Sequence, residues 1–126
     1  GPTENFLWEM PQVSGAVGAD VGQSSHGATA VGSNLVIFGG VSRSGKYSNA
    51  MAVLATSSLI WSQPVLLPGV SVSPRAYPTL LFDDESNHLI IFGGLGRLRN
   101  SGNYQQSDYK ADLHRLALVI CHEQHD

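Results

Sequence analysis

A short apolar motif that ends in two glycines occurs twice in the chain and limits what the chain can fold into. Residues 35–40 read LVIFGG, and residues 89–94 read LIIFGG, 54 positions further on. Trp8 and Trp61 lie 53 positions apart and add a third landmark at nearly the same spacing. A period near 50 residues is typical of repeat arrays and propellers, in which each unit buries its apolar face against a neighbour. The chain is therefore predicted to consist of similar stacked units.

Each unit reads as strands and turns. Fourteen glycines and six prolines punctuate short apolar runs, and no apolar stripe at helical spacing lasts three turns. Residues 35–38 and 89–92 are apolar at every position, which predicts strands covered on both faces. The glycine pairs suit sharp turns or close backbone approach. The predicted strands are 25–31, 34–38, 49–56 and 59–63 in the first unit, and 75–82, 88–92 and 110–118 in the second.

Charge and composition restrict the partners that the chain could bind. Ten acidic residues against seven basic ones give a net charge of −3, which argues against a nucleic-acid-binding face. No apolar run reaches the ~18 residues of a membrane-spanning helix. The single cysteine, Cys121, excludes an internal disulfide framework and fits a reducing compartment. We therefore expect a cytoplasmic protein that binds neither nucleic acid nor membranes.

The order of these motifs resembles a kelch repeat, in which a strand starting with Pro-Arg or His precedes an apolar strand ending in Gly-Gly, an Asn- or Asp-led strand, and Trp. The first unit matches this order at His26, Gly39, Gly40, Asn49 and Trp61. The second unit matches it at Arg75, Gly93, Gly94 and Asp112, with Arg75 expected in the place of His26. The resemblance implies an all-β fold of four-stranded antiparallel β-propeller blades, in which these positions and Trp8 have structural roles.

The units depart from the kelch pattern in two places. The family's tyrosine, about seven residues before the tryptophan, is Leu54 in the first unit and Leu116 in the second. The second unit has no tryptophan, because the matching position lies near Glu123. We therefore predict only three strands for the second blade.

The repeat boundaries divide the chain into five parts. Gly1-Pro2 reads as a protease scar from an expression tag, and residues 3–24 as the fourth strand of a preceding blade with an inter-blade loop. Residues 25–63 form blade 1, residues 64–118 form the three-stranded blade 2, and residues 119–126 form a C-terminal tail.

Two blades cannot close a ring, because propellers typically have four to eight. The chain is thus expected to be part of a larger propeller or of an oligomeric ring. In the second arrangement, the Trp8 strand of one chain completes blade 2 of the next, and three chains form a six-bladed homo-oligomer.

Function is expected in the loops between strands two and three and between blades. Two of these loops carry four of the seven basic residues and a tyrosine: Arg43, Lys46, Arg97, Arg99 and Tyr104. The acidic run 83–85 is expected at the opposite face. This asymmetry favours a protein-interaction module whose partner is a protein or peptide, acidic or phosphorylated in character.

Enzymatic signals are weaker, and we expect neither catalytic residues, nor a metal site, nor a cofactor. The sequence has no nucleophile elbow and no phosphate-binding glycine loop. His122 and His125 in the tail are one residue short of the zinc-protease spacing. Two alternatives stay open: a metal-dependent enzyme on a kelch-like propeller, and a purely structural, self-assembling repeat.

Overall fold

A computed structural model describes residues 5–64, 71–98 and 106–118. These residues form two antiparallel sheets, ordered β1-β2-β3-β4 and β5-β6-β7. The strands are β1 (Gly27–Val31), β2 (Asn34–Phe38), β3 (Met51–Ala55), β4 (Ile60–Ser62), β5 (Thr79–Asp83), β6 (His88–Leu98) and β7 (Gln106–Ala117). The all-β prediction is confirmed. Within the described ranges no helix is long and apolar enough to cross a membrane.

The first sheet follows the sequence pattern closely. Strand β2 has the predicted bounds, and the turn before it places Gly32 at φ 59°, which glycine adopts without strain. The Val36 and Phe38 side chains pack against the second sheet, while Ile37 packs with Val21 and Ala52 on the other side. Strand β2 is thus covered on both faces, as its unbroken apolar run predicts.

The second sheet departs from the prediction at the start of β5 and at the end of β6. Strand β5 begins at Thr79 instead of Arg75, after Tyr77 at φ 56° and then Pro78. Strand β6 does not end at the glycine pair: it continues to Leu98, with a register shift between Phe92 and Gly94. The loop expected between the predicted strands 88–92 and 110–118, at residues 95–109, is therefore wrong at both of its ends, because β6 and β7 extend into it as a hairpin.

The shared core of the two sheets lies between them. Phe38 and Ile91 are 2% and 0% exposed, and they cluster with Val36, Leu80 and Leu89. Burying one such side chain contributes roughly 1.5–3 kcal/mol. Phe92, the equivalent of Phe38, is 46% exposed. The prediction that residues 89–92 are covered on both faces is therefore wrong in this chain.

Strand register corrects the alignment of the two repeats. Gly27 lies opposite Phe38, and Thr79 lies opposite Phe92, so equivalent residues of β1 and β5 differ by 52 positions (79 − 27). The same offset joins Ser25 and Tyr77, which both have positive φ angles, 59° and 56°. His26 is therefore equivalent to Pro78, and the expected equivalence of His26 and Arg75 is wrong. His26 is an exposed side chain.

Candidate functional site: the loop end of the two sheets

The residues that follow each glycine pair, after β2 and within β6, lie at one end of the two sheets. We call this the loop end. Val41 bridges Ser24 after β2, and Leu95 bridges Ala76 in the equivalent place beside β6. Backbone bonds join the two sheets here, with the Gly40 amide donating to the Arg75 carbonyl at 2.8 Å. The Tyr77 amide likewise donates to the Ser25 carbonyl at 2.7 Å. The loops are thus held on a shared frame.

The loop after β2 is closed by its own backbone. The Ser42 amide donates to the Lys46 carbonyl at 2.8 Å, and the Gly45 amide donates to the Ser42 carbonyl at 2.9 Å. Gly45 has φ 81°, a conformation that side-chain-bearing residues rarely adopt. The Arg43 and Lys46 side chains are exposed. The loop therefore presents two cations to solvent on a defined backbone.

The other three predicted binding residues lie on the β6–β7 connection. Arg97 lies in β6 opposite Ser107 of β7. Arg99 and Tyr104 lie outside the described residues. That all five form one binding surface stays a prediction.

Arg75 is a structural residue of the loop end. Its side chain is fully buried, and it donates to both Asp112 carboxylate oxygens at 2.7 and 2.9 Å. It also donates to the Gly93 carbonyl at 3.0 Å, and to the Ser73 hydroxyl and carbonyl at 3.0 and 3.1 Å. These five bonds match the five N–H groups of a guanidinium. Arg75 therefore has no donor left for a ligand.

The Arg75 hydrogen bonds also hold the pKa of Asp112 well below its usual range, because they stabilise the carboxylate form. His114 adds to this effect, with its Nε2 2.6 Å from Asp112 Oδ2. Asp112 is half-exposed and Arg75 is buried, so their ion pair links a buried side chain to the exposed surface of β7. This ion pair positions β7 against the segment that precedes β5.

An open cleft of about 380 Å³ lies next to the glycine pair of β6. Its side chains are those of Tyr77, Thr79, Phe92, Leu95, Tyr109 and Lys110. Tyr77 and Tyr109 are 68% and 85% exposed. The Lys110 ammonium donates to Asp108 at 2.6 Å. The cleft thus offers aromatic surface beside a lysine whose charge is partly balanced.

Sequence reasoning missed this aromatic cleft. Phe92 was expected in a doubly covered strand, and Tyr77 and Tyr109 were placed only as strand or loop residues. Alternation along β6 could have found it, because Phe92 and Ile91 must face opposite sides of the sheet.

The acidic turn 83–87 lies at the other end of the second sheet, where β5 ends. The Ser86 hydroxyl donates to Asp83 at 2.6 Å and lowers the pKa of that carboxyl, and the Glu85 amide adds to the effect. The described residues include no group of three or more His, Cys, Asp or Glu side chains that could hold a metal. The tail residues 121–126 lie outside the described part.

The chain is similar to a human protein over most of its length. No protein-family model matches the chain. The chain is 29% identical over 119 residues to Host cell factor 2 of Homo sapiens. This match covers 92% of the chain and therefore includes both repeats, but it spans only 14% of the human protein's length.

Proposed function

We propose that the chain is a kelch-type β-propeller segment that binds a protein or peptide partner at its loop end. The observation that carries the proposal is the composition of that end. Exposed Arg43 and Lys46 lie on a closed loop, and the neighbouring sheet presents the exposed tyrosines of the cleft. Aromatic and arginine side chains dominate binding energy at protein interfaces.

The partner in this proposal is an acidic or phosphorylated peptide that the cytoplasm supplies. Arg43 and Lys46 would pair with its charges, and the cleft would take an apolar or aromatic side chain. Charge-assisted hydrogen bonds from arginine are well suited to phosphate and carboxylate groups. The acidic turn 83–87, at the far end of the second sheet, would direct such a peptide toward the loop end.

A peptide array tests this proposal. It presents acidic, phosphorylated, neutral and basic peptides to the purified chain and to the double variant Arg43→Gln/Lys46→Gln. We expect acidic or phosphorylated peptides to bind, and the variant to lose roughly tenfold or more in affinity, since each lost charged hydrogen bond is worth about 1.5–3 kcal/mol.

The matched control is Ser57→Glu/Ser58→Glu, which changes the net charge by the same amount at the opposite end of the first sheet. Ser57 and Ser58 are exposed residues in the turn between β3 and β4. This control should bind like the unchanged chain. Equal losses in both variants, or no preference for acidic peptides, would reject the loop end as the binding surface.

A purely structural role is the second candidate, and one observation favours it. The face of the second sheet that carries Leu81, Phe92 and Leu113 leaves these side chains 57%, 46% and 58% exposed. The equivalent face of the first sheet packs against the second sheet. Self-assembly through repeat faces would cover this surface.

A further inference from the structure

Among the described residues, no strand pairs with the outer edge of the second sheet, where the first sheet has its fourth strand. In the first sheet β4 pairs with β3 through three residue pairs, with Trp61 opposite Leu54. In the second sheet β7 takes the place of β3, and within the described ranges it pairs only with β6. An unpaired strand edge is a template for another strand.

The described residues include a segment that matches β4 and lies unpaired. Residues 5–11 read NFLWEMP, and residues 58–64 read SLIWSQP, so that tryptophan and proline recur at one offset of 53. Phe6, Leu7, Trp8 and Met10 are 101%, 87%, 99% and 96% exposed. These four large apolar side chains lie within five residues of one another and are exposed to solvent, which marks a contact surface.

Register predicts how this segment would pair with β7. Ala55 lies opposite Asn34 at the start of β2, and Ala117 lies opposite His88 at the start of β6. Leu116 is therefore the equivalent of Leu54. Because Trp61 lies opposite Leu54, the pairing places Trp8 opposite Leu116.

The same register brings opposite charges together. Ser62 lies opposite Val53 in the first sheet, and the corresponding positions in the new pair are Glu9 and Arg115. Opposite charges directly across an antiparallel pair are stabilising. Arg115 is exposed, and its guanidinium Nη2 lies 3.5 Å from His88 Nδ1. Glu9 is also exposed, so both groups are available.

The two faces of the pairing are consistent with this register. Leu116 packs against the core between the sheets, so Trp8 would extend that core. Adjacent residues of a strand point to opposite faces. Glu9 and Arg115 would therefore meet on the outer face, beside the exposed Phe92 and Leu113.

The chain just after this segment is attached to the outer edge of the first sheet. The Ser14 amide donates to the Leu59 carbonyl at 2.9 Å, and the Trp61 amide donates to the Ser14 carbonyl at 2.8 Å. These bonds hold the chain beside β4, four residues after Met10. We propose that residues Phe6–Met10 of one copy add as a fourth strand to β7 of a second copy, head to tail.

Solution mass tests the association. Light scattering or sedimentation of the 126-residue chain from about 1 to 100 µM should show an oligomer that forms with concentration. Trp8→Ala should be monomeric over the same range, with an unchanged thermal melting curve at low concentration because Trp8 is exposed in the single chain. A wild-type chain that stays monomeric, or an oligomer that Trp8→Ala leaves intact, overturns the proposal.

A charge exchange tests the register and shows whether pairing occurs between copies. Glu9→Arg and Arg115→Glu should each weaken association, and the double variant should restore it. An equimolar mixture of the two single variants should also associate, because each supplies the charge that the other lacks. Pairing within one chain could not respond to mixing.

Glu85→Arg and Arg43→Glu are matched controls, because they make the same charge changes at exposed positions away from the predicted pair. Both should associate like the wild type. Single variants that associate normally, or a mixture that stays dissociated, would contradict the proposed pairing. Peptide binding at the loop end does not depend on this pairing, so Arg43→Gln/Lys46→Gln should leave association unchanged.

Discussion

Arg75 and Asp112 join the segment before β5 to β7 through two parallel N–H···O bonds of 2.7 and 2.9 Å. The arginine is fully buried, whereas the aspartate side chain is 42% exposed. The two ends of this ion pair are therefore expected to differ in their contribution to stability.

Arg75→Ala should lower the free energy of unfolding by about 3 kcal/mol, because it leaves buried polar partners such as the Gly93 carbonyl without a donor. Asp112→Asn should cost only about 1 kcal/mol, since solvent screens the half-exposed carboxylate. Urea unfolding monitored by circular dichroism measures both values. Equal losses in the two variants would show that the Asp112 bonds alone account for the role of Arg75.

The lowered pKa of Asp112 predicts a loss of stability in acid. The folded-state pKa of Asp112 lies well below the ordinary value of an aspartate, 3.8, so the stabilisation is complete above that value and is lost as the pH falls through the folded pKa. Unfolding free energies measured from pH 6 down to pH 2 should decline below about pH 4. The unfolding free energy of Asp112→Asn should decline less over this range. Asp83→Asn should have a smaller effect of the same kind, because it removes the carboxyl that accepts the Ser86 hydrogen bond. Parallel curves for wild type and Asp112→Asn would contradict this assignment.

Substituting alanine for the two phenylalanines at equivalent repeat positions should lower the free energy of unfolding by very different amounts. Phe38 is 2% exposed between the sheets, and Phe92 is 46% exposed on the outer face. Phe38→Ala should cost about 4 kcal/mol and Phe92→Ala about 1 kcal/mol in a dilute monomeric sample. Thermal or urea unfolding gives the comparison. Similar costs would mean that the outer face of β6 is covered in solution.

Gly40 and Gly45 both have positive φ angles but different surroundings. A Cβ on Gly40 would lie 2.3 Å from the Ser24 carbonyl oxygen, whereas a Cβ on Gly45 meets nothing within 4 Å. Gly45→Ala should therefore cost about 1 kcal/mol, from the strained backbone alone. Gly40→Ala must also displace backbone at the loop end, and it should cost several times more. A Gly40→Ala variant as stable as Gly45→Ala would contradict the close packing of the loop end.

Local sequence pattern was sufficient for the strands of the first sheet. The apolar run 34–38, bounded by Gly32 and the glycine pair, identifies β2 with the bounds that the structure has. At β6 the same pattern failed, because residues 94–98 pair with residues 106–110 of β7, which holds the chain in extended form beyond Gly94. The sequence at the glycine pair carries no signal of that pairing, since the motif is nearly the same after β2, where the strand ends.

The candidate site was only partly predictable for the same reason. Arg43 and Lys46 could be placed because a short loop after a clear strand has few possible positions. The ion-pair partner of Arg75 is 37 residues away, and three of the five Arg75 hydrogen bonds, those to Gly93 and Asp112, depend on the hairpin of β6 and β7. The exposure of Phe92 depends on whether another sheet packs on the outer face of the second sheet. The repeat pattern in this sequence identifies only the first sheet as a neighbour, and that sheet packs on the opposite face.

The central claim, that the loop end binds an acidic peptide, is tested most directly by nuclear magnetic resonance. The tightest acidic peptide from the array is titrated into the ¹⁵N-labelled chain, and the backbone amide shifts are followed. We predict that the largest changes fall at residues 41–47 and 94–97, together with Tyr77 and Tyr109. Changes concentrated at the opposite end, at residues 32–33, 56–59 and 83–87, would contradict the claim.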